Sequence, residues 1–285
     1  VVRQAGTEGR LSMESTLYHY GIKGMRWGVR RFQKKDGSLT KAGKERYSPE
    51  SLGRTAVPKG VSVNSDGSIT VSKGTSLQRL VSDKSRPMKD ITYASVLEYD
   101  NAKYIKYIGG KGLFGGGRST VLSIRANEDL KAPSMDEASK IMVDLLSKNP
   151  EFRKRFTNSF NNEPVSDKEL AKMRKDPTGS DAKAWYDELN ISMTFSPDFD
   201  ENAPFVQKTF SKALQDKGYN MLRDENDFQN KVAKAPVIIL NPEKTLSVVS
   251  MTDITDELRT SSKETLDDYK KLGKNWVDEY VYGRN

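Results

Sequence analysis

Four short segments carry the side chains in this sequence that could perform chemistry. In chain order they are KGTSLQR ending at Arg79, TYAS followed by Asp100 and Tyr104, GYNMLRDEND ending at Asp227, and PVIILNP ending at Pro242. Arginine can bind a pyrophosphate through two parallel hydrogen bonds, aromatic faces can hold a flat ring, and a carboxylate can stabilise positive charge that develops as a bond breaks. The residues of the first three segments also have ordinary explanations, in order: a surface cation, core aromatics, and a solvated turn rich in Asp and Asn.

The hydrophobic pattern places these segments on strands and at strand ends. Short apolar stretches predict strands or strand edges over residues 61–63, 69–71, 77–81, 91–96, 121–124, 219–222, 237–240 and 246–251. Between residues 134 and 218 the apolar period becomes helical. The helix signals are the capping box of Ser134 with Glu137, that of Ser166 with Glu169, Pro204 in a first turn with a stop at Gly218, and Ser261 with Glu264 before a helix through Trp276. Strands at both ends of a helical middle predict an α+β domain.

Composition excludes several classes of site. The 285 residues contain no cysteine, which excludes disulfides and thiolate metal sites, and one histidine, His19, which leaves no His-based zinc site or catalytic triad for the main domain. The acidic residues are scattered, so we expect no metal. Apolar runs fall short of the roughly 20 residues of a membrane span, and residues 1–30 lack the apolar region of a secretory signal. We therefore expect no membrane association and no general secretion.

Positive charge is concentrated at the N-terminus. Residues 1–60 carry 13 Lys and Arg against 5 Asp and Glu, a net of +8, whereas residues 61–285 carry 34 of each. We interpret residues 1–60 as a basic tail and linker, and residues 61–285 as the main domain with a C-terminal helix. Only the tail has the charge expected of a nucleic-acid-binding segment.

Aromatic and basic residues alternate in the tail between Tyr18 and Tyr47. The candidate interaction residues are His19, Arg26, Trp27, Arg30 and Arg31, and the glycines among them disfavour a stable helix. Such a segment could dock on an acidic protein surface, stack on bases while neutralising phosphates, or serve as an inert linker. The run YHYGIKGMRWGVRR, followed by DGSLT and AGK, resembles a recurring module in phage and prophage proteins of Gram-positive bacteria. That resemblance implies a phage origin and a virion component as a partner of residues 17–47.

The order of the four segments of the main domain resembles that of ADP-ribosyltransferases, particularly phage-encoded and toxin-like members, over residues 68–252. The resemblance implies a split β-sandwich of the ADP-ribosyltransferase type with flanking helices, here preceded by an irregular basic tail. It implies NAD as the substrate, bound in an extended cleft and cleaved at the bond between nicotinamide and ribose.

Site residues follow from the same resemblance. Arg79 matches the position that holds the ribose and phosphate of NAD, and Tyr93 and Tyr104 match the aromatics that pack the nicotinamide. Thr75 and Ser95 complete the expected NAD site. The expected catalytic residues are Glu225, which would bind the nicotinamide ribose, with Arg79 and Tyr93.

Two departures from the family pattern affect the expected chemistry. The first-strand motif occurs here with arginine, Arg79, and its histidine form is absent. The Glu-x-Glu pair of the arginine-modifying branch is also absent, because Arg223 lies two residues before Glu225. Arginine is therefore not indicated as the acceptor, and Asp224 and Asp227 compete with Glu225 for the catalytic position.

The leading hypothesis is a phage-encoded mono-ADP-ribosyltransferase-like protein that modifies a host protein or nucleic acid. It would act in the virion, the bacterial host cytoplasm, or both. One alternative is a non-catalytic virion or interaction protein that docks through its basic tail, and another is a nucleic-acid-binding module. The enzyme hypothesis expects Arg79, Tyr93 and Glu225 to face one cleft.

Overall fold

The computed structural model describes residues 40–41, 58–82, 84, 88, 91–107, 119–159, 161–194, 200–229 and 232–272. Most of the predicted tail lies outside these ranges, including His19, Arg26, Trp27, Arg30 and Arg31, and so does Trp276 of the predicted last helix. Among the residues described, each helix is too short or too polar to cross a bilayer.

Nine strands of the described residues form two antiparallel sheets. They are β1 Val61–Val63, β2 Ile69–Val71, β3 Ser76–Val81, β4 Thr92–Ser95, β5 Thr120–Ala126, β6 Leu130–Ala132, β7 Met221–Arg223, β8 Pro236–Ile239 and β9 Leu246–Asp253. The smaller sheet has the order β1-β2-β6, and the larger has the order β7-β8-β4-β3-β5-β9. Each predicted strand region is confirmed, whereas β6 was not predicted.

Helices occupy most of the chain between β6 and β7. The described helices are α1 Glu98–Tyr107, α2 Met135–Lys148, α3 Pro150–Arg155, α4 Asp167–Lys175, α5 Ser180–Ser192, α6 Ala203–Gln215, α7 Glu225–Gln229, α8 Pro242–Thr245 and α9 Asp256–Lys270. Ser134 caps α2, and Ser166 with Glu169 forms the predicted reciprocal capping box of α4. Pro204 lies in the first turn of α6.

The last helix begins earlier than the sequence predicted. Its N-cap is Thr255, whose hydroxyl accepts a hydrogen bond from the Leu258 backbone at 3.3 Å. Ser261, the predicted cap, instead lies inside α9, where its carbonyl accepts a hydrogen bond from the Thr265 hydroxyl. The prediction was wrong because Thr255 offers the same capping oxygen immediately before Asp256 and Glu257, whose charges favour a helix N-terminus.

Two hydrophobic cores lie on opposite faces of β8. Val237 and Ile239 belong to a core shared with the smaller sheet and the end of α9, whereas Ile238 belongs to a core with helices α2 to α6. Because side chains alternate along a strand, a strand with every residue buried must have both faces covered.

The fold is a mixed α/β fold with two antiparallel sheets, which is compatible with the predicted α+β class. The ADP-ribosyltransferase type stays a prediction.

The larger sheet is weakly paired at its centre. β3 pairs with β5 along its whole length, from Ser76 opposite Arg125 to Val81 opposite Thr120, but its pairing with β4 is reduced to Gln78 opposite Ser95. β4 in turn pairs over its four residues with β8. The sheet therefore opens between β3 and β4, and this opening positions the candidate site.

Candidate functional site

A cavity of about 330 Å³ lies where β3 and β4 separate. Its walls come from β3, β4, β8, α1, the residue that follows the C-cap of α5, and the turn from β7 into α7. The lining residues are Gln78, Arg79, Leu80, Tyr93, Ala94, Tyr104, Thr194, Asp224, Asn226, Asp227, Pro236 and Val237. The opening in the sheet thus brings together side chains from distant parts of the sequence.

Three of the predicted site residues share this cavity, namely Arg79, Tyr93 and Tyr104. The Nη1 atom of Arg79 donates a hydrogen bond to the Thr92 hydroxyl at 2.9 Å, which ties the arginine across the gap to β4. The Tyr93 hydroxyl donates to the Met193 carbonyl at 2.8 Å, at the end of α5. Hydrogen bonds therefore fix both side chains on the walls of the cavity.

An acidic wall faces these residues. The carboxylate of Asp227 accepts a hydrogen bond from the Tyr104 hydroxyl, while the Asp227 backbone N–H donates to Asp224 Oδ1 at 3.0 Å. Tyr104, Asp227 and Asp224 are therefore linked in series, and all three line the cavity.

Burial and a neighbouring negative charge shift the pKa values of Asp224 and Tyr104. Burial raises the pKa of Asp224 to about 7, and the negative charge of Asp227 adds to this rise. Burial, followed by the negative charge of Asp227, raises the pKa of the Tyr104 hydroxyl far above its ordinary value. At neutral pH Tyr104 therefore keeps its proton and acts as a hydrogen-bond donor, whereas Asp224 can take up or release a proton.

The structure does not bring Glu225 into the cavity. Its side chain is turned into the protein, where Oε1 and Oε2 accept hydrogen bonds from Nε and Nη2 of Arg223, each at 2.8 Å. Its backbone N–H donates to Asn190 Oδ1 at 2.9 Å. Glu225 therefore does not share a cleft with Arg79 and Tyr93 as expected, and its two acidic competitors, Asp224 and Asp227, occupy that cleft.

The Arg223 guanidinium is enclosed on several sides, and this keeps it hydrogen-bonded to the Glu225 carboxylate. Its guanidinium lies 4.1 Å from the ring centroid of Phe228. The β1–β2 turn passes so close that a Cβ atom at Gly67 would lie 2.5 Å from the Arg223 Cζ atom. Gly67 also has φ of +85°, a conformation that favours glycine. The ion pair thus serves structure, joining the small sheet to the turn that carries Asp224.

Thr75 and Ser95, predicted to complete an NAD site, lie outside the cavity lining. Thr75 is buried immediately before β3, beside the turn at Gly60. The Ser95 hydroxyl donates to Asp100 Oδ2 at 2.9 Å and accepts from the Leu97 backbone at 3.1 Å. Both residues support strands that border the cavity and do not face into it.

Asp100 connects three of the elements around the site. Besides the bond from Ser95 on β4, its carboxylate on α1 accepts backbone hydrogen bonds from Lys234 and Ala235, at 2.7 and 2.8 Å, just before β8. Burial raises the pKa of Asp100 to about 6, although these donors oppose the rise. Asp100 therefore fixes β4, α1 and β8 relative to one another.

Sequence reasoning missed three polar residues of the lining: Gln78, Thr194 and Asn226. Gln78 was missed because neighbouring side chains on a strand point to opposite faces, so Gln78 was not expected on the same face as Arg79. Thr194 was missed because it follows a helix that was not predicted. Within the described ranges, no group of three or more His, Cys, Asp or Glu side chains could hold a metal ion.

Fold and site together define an α/β protein with antiparallel sheets and a polar cavity at a split in the larger sheet. A family of unknown function, DUF7211, matches residues 11–34, which fall in the predicted tail and outside the described residues. No curated protein and no solved structure matches the chain. The family match is confined to the tail and carries no information about the cavity.

Proposed function

We propose that the cavity binds NAD and that the protein is a mono-ADP-ribosyltransferase-like enzyme acting on a host macromolecule. The observation that carries this proposal is the convergence of Arg79, Tyr93 and Tyr104 on one cavity that also contains two carboxylates. From the order of the sequence segments we expected Arg79, Tyr93 and Tyr104 to line one site, although Tyr104 lies 25 residues after Arg79.

The volume and polarity of the cavity suit the nicotinamide and ribose half of NAD. Ligand pockets are commonly roughly 300–1,000 Å³ with a few well-placed polar groups, and this cavity has about 330 Å³. Arg79 supplies a planar donor for phosphate oxygens, and the two tyrosines supply aromatic faces for the nicotinamide ring. The remainder of NAD would extend out of the cavity along the opening between β3 and β4.

In this proposal Asp224 and Asp227 take the role that the resemblance to ADP-ribosyltransferases implied for Glu225. Cleavage of the bond between nicotinamide and ribose develops positive charge on the ribose, and a nearby carboxylate stabilises that charge. In the structure the carboxylates at the cavity wall belong to Asp224 and Asp227, whereas that of Glu225 is bound to Arg223.

The tail gives the proposal its cellular setting. We propose that residues 17–47 dock on a virion component, so that the protein acts from the virion or in the bacterial host cytoplasm. The acceptor is a host protein or nucleic acid. This part of the proposal is supported by the resemblance to phage proteins and by the +8 net charge of residues 1–60.

The test is nicotinamide release and label transfer by the full chain with labelled NAD and host lysate. Arg79→Met is compared with Arg125→Met, because Arg125 is an exposed residue of the neighbouring strand β5. We expect the wild type and Arg125→Met to bind and cleave NAD, and Arg79→Met to lose NAD affinity by about 10-fold or more, the loss of one charge-assisted contact.

A wild-type protein that neither binds nor cleaves NAD would refute the enzyme proposal. The alternative would then be a non-catalytic virion or interaction protein that docks through its tail. Replacing Arg26, Arg30 and Arg31 with Gln should abolish docking under that alternative.

A further inference from the structure

The two carboxylates of the cavity wall come from one turn but are held differently. Asp227 is half-buried and accepts the Tyr104 hydroxyl, so its negative charge is held by a donor that keeps its proton at neutral pH. Asp224 is only 4% exposed, and its Oδ1 accepts the backbone N–H of Asp227. One carboxylate is thus fixed by a side-chain donor and the other by the backbone alone.

Charged and titratable groups surround Asp224 on several elements. From α7, the negative charges of Asp227 and, more weakly, Glu225 raise its pKa further after burial. On β7, Arg223 is engaged with Glu225 by two hydrogen bonds and so offers Asp224 little compensation.

The remaining groups around the cavity come from α1, β3 and β8. Tyr104 of α1 donates to Asp227 and not to Asp224. Arg79 of β3 lines the same cavity but donates to the Thr92 hydroxyl of β4. β8 contributes a backbone contact, because the Pro236 carbonyl accepts the Asp224 N–H at 3.0 Å. Asp224 is therefore the carboxylate of this cavity that is suited to exchange a proton near neutral pH.

We infer that Asp224 is the proton acceptor for a neutral hydroxyl nucleophile, in the simplest case water, while Asp227, oriented by Tyr104, supplies the fixed negative charge beside the ribose. This inference rests on the proposed function. It names the acceptor class as an O–H group, because a carboxylate of this kind can remove a proton from a hydroxyl as the new bond forms.

The proposed step transfers ADP-ribose from the nicotinamide nitrogen to the hydroxyl oxygen. The bond between the nicotinamide nitrogen and the ribose C1′ breaks, and its electron pair goes to the nitrogen, which neutralises the nicotinamide. A lone pair of the hydroxyl oxygen forms the new bond to C1′, and the hydroxyl proton goes to the Asp224 carboxylate. The Asp227 carboxylate stabilises the positive charge on the ribose. The products are nicotinamide, an O-linked ADP-ribose and a protonated Asp224.

The experiment is the pH profile of nicotinamide release by the full chain with NAD and water as the nucleophile. The rate should rise with pH through a midpoint near 7, because Asp224 must be deprotonated to act and its pKa is about 7. Asp224→Asn should lower kcat by about 100-fold or more, the usual contribution of a general base, and abolish this rise while KM for NAD changes little. Asp144→Asn, a change in an exposed residue of α2, should behave as wild type.

Asp227→Asn provides a second readout that does not depend on the amplitude of activity. Removing the neighbouring negative charge should move the midpoint of the wild-type profile to lower pH, because that charge helps to raise the pKa of Asp224. The inference is overturned if Asp224→Asn keeps the wild-type pH profile, or if the midpoint of the profile in Asp227→Asn equals that of the wild type. Either result leaves the proposed function standing. A wild type that releases no nicotinamide overturns both.

Discussion

Replacing Glu225 with Ala should destabilise the protein much more than removing an exposed glutamate. The side chains of Arg223 and Glu225 are 10% and 3% exposed, and two bonds of 2.8 Å join them. Removing one partner of such a pair leaves a buried charge without compensation, which costs about 3–5 kcal/mol. Gly67 and Phe228 pack against the guanidinium and limit its access to water.

The matched control is Glu151→Ala on α3. Glu151 also accepts a hydrogen bond from an arginine, Arg155, at 2.6 Å, but these side chains are 51% and 43% exposed. Exposed pairs contribute about 0–1 kcal/mol. Urea unfolding followed by circular dichroism should therefore show a loss in free energy of unfolding at least about 2 kcal/mol greater for Glu225→Ala than for Glu151→Ala.

A third protein tests the cause of the loss. The double variant Arg223→Met, Glu225→Leu removes both charges and keeps most of the buried volume, so it should recover most of the stability lost in Glu225→Ala. If Glu225→Ala and Glu151→Ala lose the same free energy, or if the double variant is the least stable protein of the series, the Arg223–Glu225 pair does not anchor this turn. The assignment of Glu225 to a structural role would then be wrong.

Two further predictions concern the surroundings of the site. In urea unfolding, Gly67→Ala should be more destabilising than Gly74→Ala. Both glycines have positive φ, but only a Cβ at Gly67 meets the Arg223 guanidinium. Backbone strain alone costs roughly 1–2 kcal/mol, so equal losses of that size in the two variants would argue against the contact. Asp100 has its pKa raised by burial from 3.8 to about 6, so its ionisation costs the folded state more than the unfolded state. Asp100→Asn does not titrate at this position and serves as the reference. Relative to it, the free energy of unfolding of the wild type should fall by about 3 kcal/mol as the pH rises from 3.8 to about 6, with no further fall above that pH. Parallel curves of stability against pH for the two proteins would exclude the pKa shift.

Much of the strand and cap pattern could be predicted because local sequence decides it. The run of β8 is apolar throughout and is buried on both faces, and Ser166 with Glu169 forms a cap from its own side chains. Helix α5 was also predictable in principle, since Ala182, Trp185, Tyr186 and Leu189 are buried with helical spacing. Helix α1 gives a weaker signal, because its buried positions include a charged residue, Asp100.

The site could be predicted only in part, because long-range contacts select among equivalent side chains. Spacing along the chain indicated Arg79, Tyr93 and Tyr104, and they line the same cavity. Which acidic residue of the run 224–227 faces that cavity depends on Arg223, and on the packing of a turn more than 150 residues earlier against it. Nothing in the local sequence distinguishes Asp224 from Glu225 in this respect.

The alternation of Arg223, Asp224 and Glu225 has a consequence for how this segment tolerates mutation. Two of these side chains point into the protein and the one between them lines the cavity. Inserting one residue between Arg223 and Asp224 would therefore move Asp224 into the buried position of Glu225 and put the new residue at the cavity wall, while leaving the composition almost unchanged. The length of this connection is therefore constrained in addition to the identity of its acids, so single-residue insertions here should be as damaging as substitutions of Asp224 or Glu225.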